Sequence, residues 1–186
     1  MSERTAAGGD GPDRERADRD ARAAALDDEP DHGLRDPRMR AAWAERLRDR
    51  LPGPPPDVLD LGCGTGSPSL LAAEQGHRVT GAGPSPARAE RARVKLAGLD
   101  AMCLVGDTAD PPAGEQRFDA VLARHVLWTP PDPARALRRW TELLRPEGRT
   151  VLVEGVWGTV TPIGIPPKRP TMLLRPLVSR LHPQHL

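Results

Sequence analysis

The sequence has only two cysteines, and it has no apolar run that approaches the roughly 20 residues needed to span a bilayer. Cys63 and Cys103 are too few for a disulfide framework, so we expect free thiols rather than a covalent staple or a metal site. The amino terminus is acidic and polar, unlike a signal peptide. These absences together favour a cytoplasmic protein without a membrane anchor.

The sequence also lacks an excess of charge of either sign. Lysine and arginine number 27 and aspartate and glutamate 26, which gives a formal net charge of +1. This balance argues against nucleic acid and against a membrane surface as partners. Leu, Val, Ile and Phe make up only 36 of 186 residues. Such a low share would indicate disorder in a highly charged chain, but here the length and charge are compatible with one globular domain.

The first 30 residues differ in composition from the rest of the chain. They contain 14 charged residues and a single large aliphatic side chain, Leu26. Such a segment buries too little apolar surface to offset the entropy of ordering. We therefore predict a disordered charged tail over residues 1–30 and a single α/β domain over residues 31–186.

Strand and helix signals alternate through this domain. Apolar periodicity, capping residues and breakers predict helices at 37–51, 67–75, 86–98 and 133–144, and strands at 58–61, 78–82, 101–105, 118–123 and 149–153. Beyond the fifth strand, closely spaced prolines allow only short helical pieces, at 171–174 and 177–181. Strands joined by single helices need right-handed crossovers, which predicts a doubly wound α/β fold with a mostly parallel sheet.

The first predicted strand ends in a glycine-rich turn, Gly62-Cys63-Gly64-Thr65-Gly66. Glycines at this place let the backbone bend sharply and approach a ligand, and the next helix presents free N–H groups. A nucleotide-like or zwitterionic ligand is implied, although the glycines could also serve only to make a tight turn. The dinucleotide fingerprint would need a third glycine where Ser67 stands, so a nucleotide-dependent oxidoreductase is a disfavoured alternative.

The stretches VLDLGCGTGSPSLLAAEQG, VGDTADPP, FDAVLARHVLWTPPDP and LLRPEGRTVLVEGVWG together resemble class I S-adenosylmethionine-dependent methyltransferases that act on small molecules. The resemblance extends over about residues 31–158 and implies a Rossmann-like fold with S-adenosylmethionine as cofactor. It implies three groups of site residues: Asp60, Gly62, Cys63, Gly64 and Gly66 at the methionine part, Asp107 and Thr108 at the adenine, and Arg124 and His125 beside the methyl sulfonium.

Each of these side chains also has a simpler interpretation. Asp60 could satisfy amides of the turn, and Asp107 could cap the loop that follows the third strand. Arg124 could hold an acidic acceptor or pair with a nearby aspartate, and His125 could act as a base or only pack at the strand end. Cys63 has no activating partner in the sequence, so we expect no catalytic role for its thiol.

Two departures from the family pattern bear on activity. The family carries an acidic residue at the end of the second strand, where it binds the ribose hydroxyls, and this chain has Gly83 there. The expected antiparallel hairpin beside the fifth strand has no convincing counterpart, so the domain reads as truncated at its carboxyl terminus. That would leave residues 151–153 on an exposed edge that a homodimer could use. A degenerate relative without turnover and a scaffold protein therefore remain alternatives.

Overall fold

The computed structural model describes residues 11–154 of the 186-residue chain. Its helices are α1 (Gly11–Ala21), α2 (Ala23–Leu26), α3 (Pro30–Gly33), α4 (Pro37–Arg50), α5 (Ser67–Glu74), α6 (Pro86–Lys95) and α7 (Pro133–Glu142). Its strands are β1 (Asp57–Leu61), β2 (Arg78–Gly83), β3 (Ala101–Val105), β4 (Phe118–Arg124) and β5 (Leu144–Val153). None of the described helices has both the length and the apolar character needed to cross a membrane.

The five strands form one parallel sheet in the order β3-β2-β1-β4-β5. β1 lies in the middle, with β2 on one side and β4 on the other. The direction in which the chain adds strands therefore reverses between β3 and β4. Such a switch point opens a crevice beyond the carboxyl ends of the strands that flank it, here β1 and β4. The predicted doubly wound α/β fold is confirmed.

Helices cover the two faces of the sheet. Trp43 and Leu47 of α4 and Leu71 of α5 share one apolar cluster with the strands. On the opposite face, Trp140 of α7 packs in a second cluster with Phe118 of β4. The central strands are thus buried on both sides, which explains why β1 and β4 read as nearly continuous apolar runs rather than alternating ones.

Three helices begin at side-chain caps that the sequence predicts locally. Ser85, Asp36 and Asp132 each accept a hydrogen bond from the backbone N–H three residues further on, at distances of 2.8 to 3.2 Å. A proline follows each cap at the first helical position, where its missing N–H costs nothing. The starts predicted at Ser85 and Asp132 are confirmed.

The amino-terminal segment departs from the prediction of disorder, because α1, α2 and the first residue of α3 lie within residues 11–30. Leu26 and Ala23 are buried, and two carboxylates tie the segment to the domain. Asp20 accepts a hydrogen bond from Ser85, and Asp27 accepts one from Lys95. Composition alone cannot predict this order, since the contacts join residues more than 60 positions apart in the chain.

The last helix and strand also differ from the predicted bounds. β5 starts at Leu144 rather than at Arg149, since Leu144 pairs with Phe118 before a bulge in the ladder. The predicted helix therefore ends two residues early, at Glu142. β5 is an edge strand of the described sheet. The expected loss of the hairpin and the helical pieces at 171–174 and 177–181 fall outside the described residues, and the homodimer through this edge stays a prediction.

The buried Trp140 provides a test of this packing. Its ring is fully buried, and its Nε1 donates a 2.7 Å hydrogen bond to the Thr108 carbonyl. We expect Trp140→Phe to lower the free energy of unfolding by about 2 to 4 kcal/mol, because it leaves a gap and a buried carbonyl without its donor. Trp128→Phe, at a side chain that is 70% exposed, should change it by less than about 0.5 kcal/mol. Urea unfolding followed by circular dichroism measures both, and equal losses would contradict the packing described.

Candidate functional site at the carboxyl ends of the strands

The turn after β1 uses left-handed backbone at three glycines. Their φ angles are +66°, +56° and +83° at Gly62, Gly64 and Gly66. The N–H groups of Gly62 and Cys63 both donate to the Ala82 carbonyl, at 2.8 and 3.2 Å. A Cβ at Gly62 would lie 2.1 Å from Val126 Cγ2, so only glycine fits there. The turn is therefore locked between the ends of β2 and β4.

Asp60 lies inside the sheet, immediately below this turn. Only 1% of its surface is exposed, and its Oδ2 accepts a 2.5 Å hydrogen bond from Ser69 Oγ. Burial raises the pKa of Asp60 to about 6, although Ser69 and the positive charge of Arg124 act in the opposite direction. Its side chain is thus bound to the start of α5 rather than to the amides of the turn. A buried carboxylate of this kind gains stability from any cation that comes close.

Cys63 contributes its backbone, rather than its thiol, to the turn. Its Sγ and that of Cys103 both lie in the space that a side chain at Gly81 would fill, 2.9 and 3.4 Å from the position of a Cβ. The hydrogen bond with Cys103, followed by burial, raises the pKa of Cys63 above its ordinary value. Both cysteines are free, as predicted, and both are buried. A thiol held in its protonated form is a poor nucleophile, in agreement with the absence of a catalytic role.

The ends of β2 and β3 lie side by side. Gly83 is the last residue of β2, and a Cβ placed on it would meet no atom within 4 Å. Its carbonyl accepts a 3.0 Å hydrogen bond from the N–H of Gly106, the residue that follows β3. The position at which the resemblance to methyltransferases implies a ribose-binding acid is therefore open space beside the loop that carries Asp107.

Asp107 and Thr108 begin the loop after β3. Asp107 is exposed, and its Oδ1 accepts a 2.9 Å hydrogen bond from the Ala109 N–H, which is the loop cap considered as its simpler role. Thr108 is buried, and its carbonyl oxygen is bound by Trp140 Nε1. A backbone contact from Thr108 to a ligand can therefore use its N–H or the second lone pair of this carbonyl.

Arg124 ends β4 and turns toward the helices at the amino terminus. Its Nη2 lies 3.2 Å from His32 Nδ1, and its guanidinium carbon lies 5.2 Å from the centre of the Trp43 ring. A guanidinium only donates, so this nitrogen of His32 accepts and the ring is neutral. Burial, followed by the charge of Arg124, lowers the pKa of His32. The end of β4 thus carries one fixed positive charge next to a neutral imidazole.

His125 follows in a strained backbone conformation that Glu154 helps to hold. Its φ is +55°, and its N–H donates to the Val153 carbonyl at 2.9 Å. Glu154 Oε1 accepts from the N–H groups of Val126 and Leu127 at 3.1 and 2.9 Å, and its Oε2 lies 4.0 Å from His125 Nδ1. Sequence reasoning missed Glu154, although an acid directly after a strand near the switch point was a usable signal.

The amino-terminal helices lie over the glycine turn. Leu26 Cδ2 is 3.5 Å from the position that a Cβ of Gly64 would occupy. Asp27 accepts hydrogen bonds from Thr65 Oγ1 and from Lys95 Nζ, the latter at 2.9 Å. Sequence reasoning missed this cover as well. The signal was Leu26, the one large aliphatic side chain in a segment otherwise too polar to fold.

The predicted site residues therefore lie in a row at the carboxyl ends of the strands. The row runs from Asp107 beyond β3, past Gly83 and the turn that begins at Gly62, to Arg124 and His125 at the end of β4. A shallow depression at the opposite end of the sheet is lined mainly by proline and glycine. The chemistry-bearing side chains are thus gathered where an open parallel sheet binds its ligands.

Residues 59–152, about half of the chain, match the family described as "Methyltransferase domain". The matched range begins in β1 and ends in β5, so it contains the glycine turn and the loops after β2, β3 and β4. The chain belongs to this family, whose members are class I S-adenosylmethionine-dependent methyltransferases.

Among curated proteins, an uncharacterized methyltransferase of Mycobacterium tuberculosis is 36% identical over 109 residues, which cover 59% of this chain and 42% of the relative. Nocamycin O-methyltransferase of Saccharothrix syringae is 40% identical over 129 residues, covering 64% and 44%. The chain spans about two fifths of the length of the curated relatives it matches.

Among solved structures, a putative methyltransferase of Haloferax volcanii in complex with the activator Trm112 superposes with a TM-score of 0.60 at 29% identity, covering 73% of this chain and 59% of that one. Geranyl diphosphate methyltransferase superposes with a TM-score of 0.57 at 28% identity, covering 64% and 47%. A methyltransferase of Geobacter sulfurreducens with bound S-adenosylhomocysteine shares the fold, with a TM-score of 0.56 at 23% identity over 68% and 51%.

The raised pKa of Asp60 predicts a pH-dependent stability. Because the folded pKa of about 6 exceeds the ordinary 3.8, ionisation of Asp60 costs folding free energy as pH rises from about 4 to 6. The test compares the free energy of unfolding of Asp60→Asn with that of the original chain. We expect the variant's advantage to grow by up to about 3 kcal/mol over this window and to stay constant above pH 7. Urea unfolding at several pH values measures it. Asp100→Asn, at an exposed aspartate, is the control, and a flat difference for both variants would contradict the assignment.

Proposed function

We propose that this chain transfers a methyl group from S-adenosylmethionine to a small-molecule acceptor. The observation that carries the proposal is the glycine turn locked above the buried carboxylate of Asp60, at the switch point of a sheet that belongs to a methyltransferase family. Since the chain spans only part of its curated relatives, its own activity and its acceptor are inferred rather than transferred from them.

The residues around the turn fit the amino-acid end of this cofactor. The raised pKa of Asp60 means that its negative charge is poorly solvated, and an ammonium group nearby would stabilise that charge, directly or through water. Gly62, Gly64 and Gly66 have no Cβ to obstruct the ligand, and the start of α5 carries partial positive charge that suits a carboxylate. Together they provide an anionic and a cationic position for a zwitterion.

The loop after β3 fits the nucleoside end. Asp107 Oδ1 is bound by the Ala109 N–H, which fixes the carboxylate and directs its second oxygen to other partners. That oxygen can accept a hydrogen bond from an exocyclic amine such as that of adenine. Thr108 would add a contact from its backbone N–H.

The end of β4 is the proposed acceptor side of the site. Arg124 offers a positive charge for an acidic acceptor, and Trp128, 70% exposed in the following loop, offers an aromatic face for a flat one. The ring is therefore not buried under the loop that follows it. The names of nocamycin O-methyltransferase and geranyl diphosphate methyltransferase support a small molecule as the acceptor.

The chain's chemical task is mainly positioning. When bound, S-adenosylmethionine supplies a methyl group on a positively charged sulfur, and transfer is an in-line displacement that needs alignment and exclusion of water. We assign to His125 the removal of a proton from a hydroxyl or amine acceptor. Its Nδ1 faces Glu154 at 4.0 Å, so Nε2 would take the proton, and the carboxylate would stabilise the resulting imidazolium.

A second candidate keeps cofactor binding without turnover. It is favoured by Gly83, which removes a carboxylate from the position that the family uses for the ribose. The family match makes the oxidoreductase alternative untenable. The scaffold alternative, the cytoplasmic location, the homodimer and the absence of nucleic acid from the partners stay predictions from the sequence.

Calorimetric titration of the purified full chain tests the proposal. We expect saturable binding of S-adenosylmethionine and S-adenosylhomocysteine, and no binding of NADH, because Ser67 stands where the dinucleotide fingerprint has its third glycine. Transfer of a labelled methyl group to phenol, carboxylate and amine acceptors then separates the active enzyme from the inactive relative. Heat from NADH alone, or from none of the three, would refute the cofactor assignment.

The same titration locates the site. Asp107→Asn keeps an oxygen for the Ala109 N–H but replaces one acceptor by a donor, so affinity for S-adenosylhomocysteine should fall about tenfold or more. Asp100→Asn, before the opposite end of β3, should leave it unchanged. Equal affinities for the two variants would place the adenine elsewhere.

The role of His125 has a conservative test because its φ is +55°. Asparagine tolerates left-handed backbone better than other residues with a Cβ, so His125→Asn removes the imidazole with little change in the turn. We expect methyl transfer to a hydroxyl acceptor to slow by about 100-fold, with affinity for S-adenosylhomocysteine within about twofold. An unchanged rate would show that His125 only packs at the end of β4.

A further inference from the structure

The carboxyl end of β2 has no side chain that could bind the ribose of a nucleoside at the candidate site. Gly83 has no side chain, and a Cβ there would meet nothing within 4 Å. Glu90 does not fill the gap, since its exposed carboxylate lies on α6 and pairs with Arg93 at 3.2 Å. An acidic group at the end of the second strand is the usual partner of ribose hydroxyls in doubly wound folds.

The amino-terminal helix α1 brings a carboxylate to this place. Asp20, in the last turn of α1, accepts a hydrogen bond from Ser85 Oγ and a 3.3 Å hydrogen bond from the Ala87 N–H. Ser85 stands two residues beyond Gly83, at the start of α6. The neighbouring Arg19 carbonyl accepts from Arg88 Nε at 3.2 Å, which anchors this end of α1 a second time. The carboxylate is thus held at Ser85, two residues beyond Gly83, and more than 4 Å from the position of a Cβ on Gly83.

The bonding pattern of Asp20 leaves one oxygen for a ligand. Ser85 and Ala87 both bind Oδ1, and among residues 11–154 no donor binds Oδ2. The side chain is half-buried, so solvent competes only partly for that oxygen. An ionised carboxylate accepts hydrogen bonds from hydroxyl groups, and a fixed one needs no reordering when the ligand arrives.

We propose that Asp20 is the ribose-binding residue of this chain and supplies from α1 the carboxylate that β2 lacks at Gly83. The inference rests on the proposed use of a nucleoside cofactor. It gives the charged amino-terminal segment a binding role in addition to its packing. The competing explanation is that Asp20 only docks α1 on the start of α6, in which case the ribose hydroxyls would not influence its contribution to affinity.

The test compares two ligands that differ only in the ribose. Calorimetric titration of the full chain with S-adenosylhomocysteine and its 2′,3′-dideoxy analogue gives a ratio of dissociation constants for each variant. We expect the original chain to prefer the natural ribose by about 10- to 100-fold, because hydrogen bonds to a charged acceptor are lost in the analogue. Asp20→Asn should reduce the ratio to about threefold or less, and it keeps an oxygen for Ser85 and Ala87.

Two further variants make the outcome specific. Asp18→Asn changes an exposed carboxylate on the same helix and should leave the ratio unchanged. Asp20→Asn combined with Gly83→Asp returns a carboxylate to β2 and should restore the preference for the natural ribose. Circular dichroism monitors folding, and Asp20→Ser, which keeps an acceptor for the Ala87 N–H, replaces Asp20→Asn if that variant does not fold.

The outcomes distinguish this inference from the function on which it rests. If the original chain binds neither ligand, the proposed cofactor is wrong. If it binds S-adenosylhomocysteine and Asp20→Asn keeps the full ribose preference, only the role of Asp20 is refuted. A loss of affinity in Asp20→Asn that is equal for both ligands would show that Asp20 only docks α1.

Discussion

The carboxyl end of the sheet depends on one constraint, the glycine turn in which the Ala82 carbonyl accepts hydrogen bonds from the N–H groups of both Gly62 and Cys63. Val126 occupies the space that a Cβ at Gly62 would need, so the end of β4 can approach the end of β1. The close fit seals Asp60 from water. A larger residue at position 62 would separate the two strand ends and open the crevice between them.

Burial, rather than ion pairing, sets the protonation of the titratable groups at the carboxyl ends of the strands. Burial raises the pKa of Asp60 and lowers that of His32, so both groups are biased toward their neutral forms. Arg124 keeps its charge between them, stacked on Trp43. A zwitterionic ligand would bring a second positive centre, besides Arg124, to the buried carboxylate of Asp60, and the interaction would be stronger than in water because little solvent screens it.

Much of the fold was predictable because its signals are local. Apolar runs gave the strands, and Ser85 and Asp132 marked helix starts with the proline that follows each. The start of β5 was missed because Leu144 looks like a continuation of the apolar stripe of α7, and only its pairing with Phe118 reveals a strand. The turn residues of the candidate site were predictable for the same local reason. Glu154, Asp20 and Asp27 were not, because each acts on atoms at least 27 residues away in the chain.

The position of Leu26 and Asp27 over the turn has a consequence for ligand exchange. Leu26 packs against Gly64, and Asp27 binds Thr65 and Lys95, so α2 rests directly on the residues that would receive the methionine part. A ligand that contacts Gly64 or Thr65 would displace α2, and it would therefore bind to states in which α2 has lifted. The apparent affinity is then the intrinsic one multiplied by the population of those open states. Salt that weakens the pair between Asp27 and Lys95 would enlarge that population, and thus couple ligand binding to ionic strength.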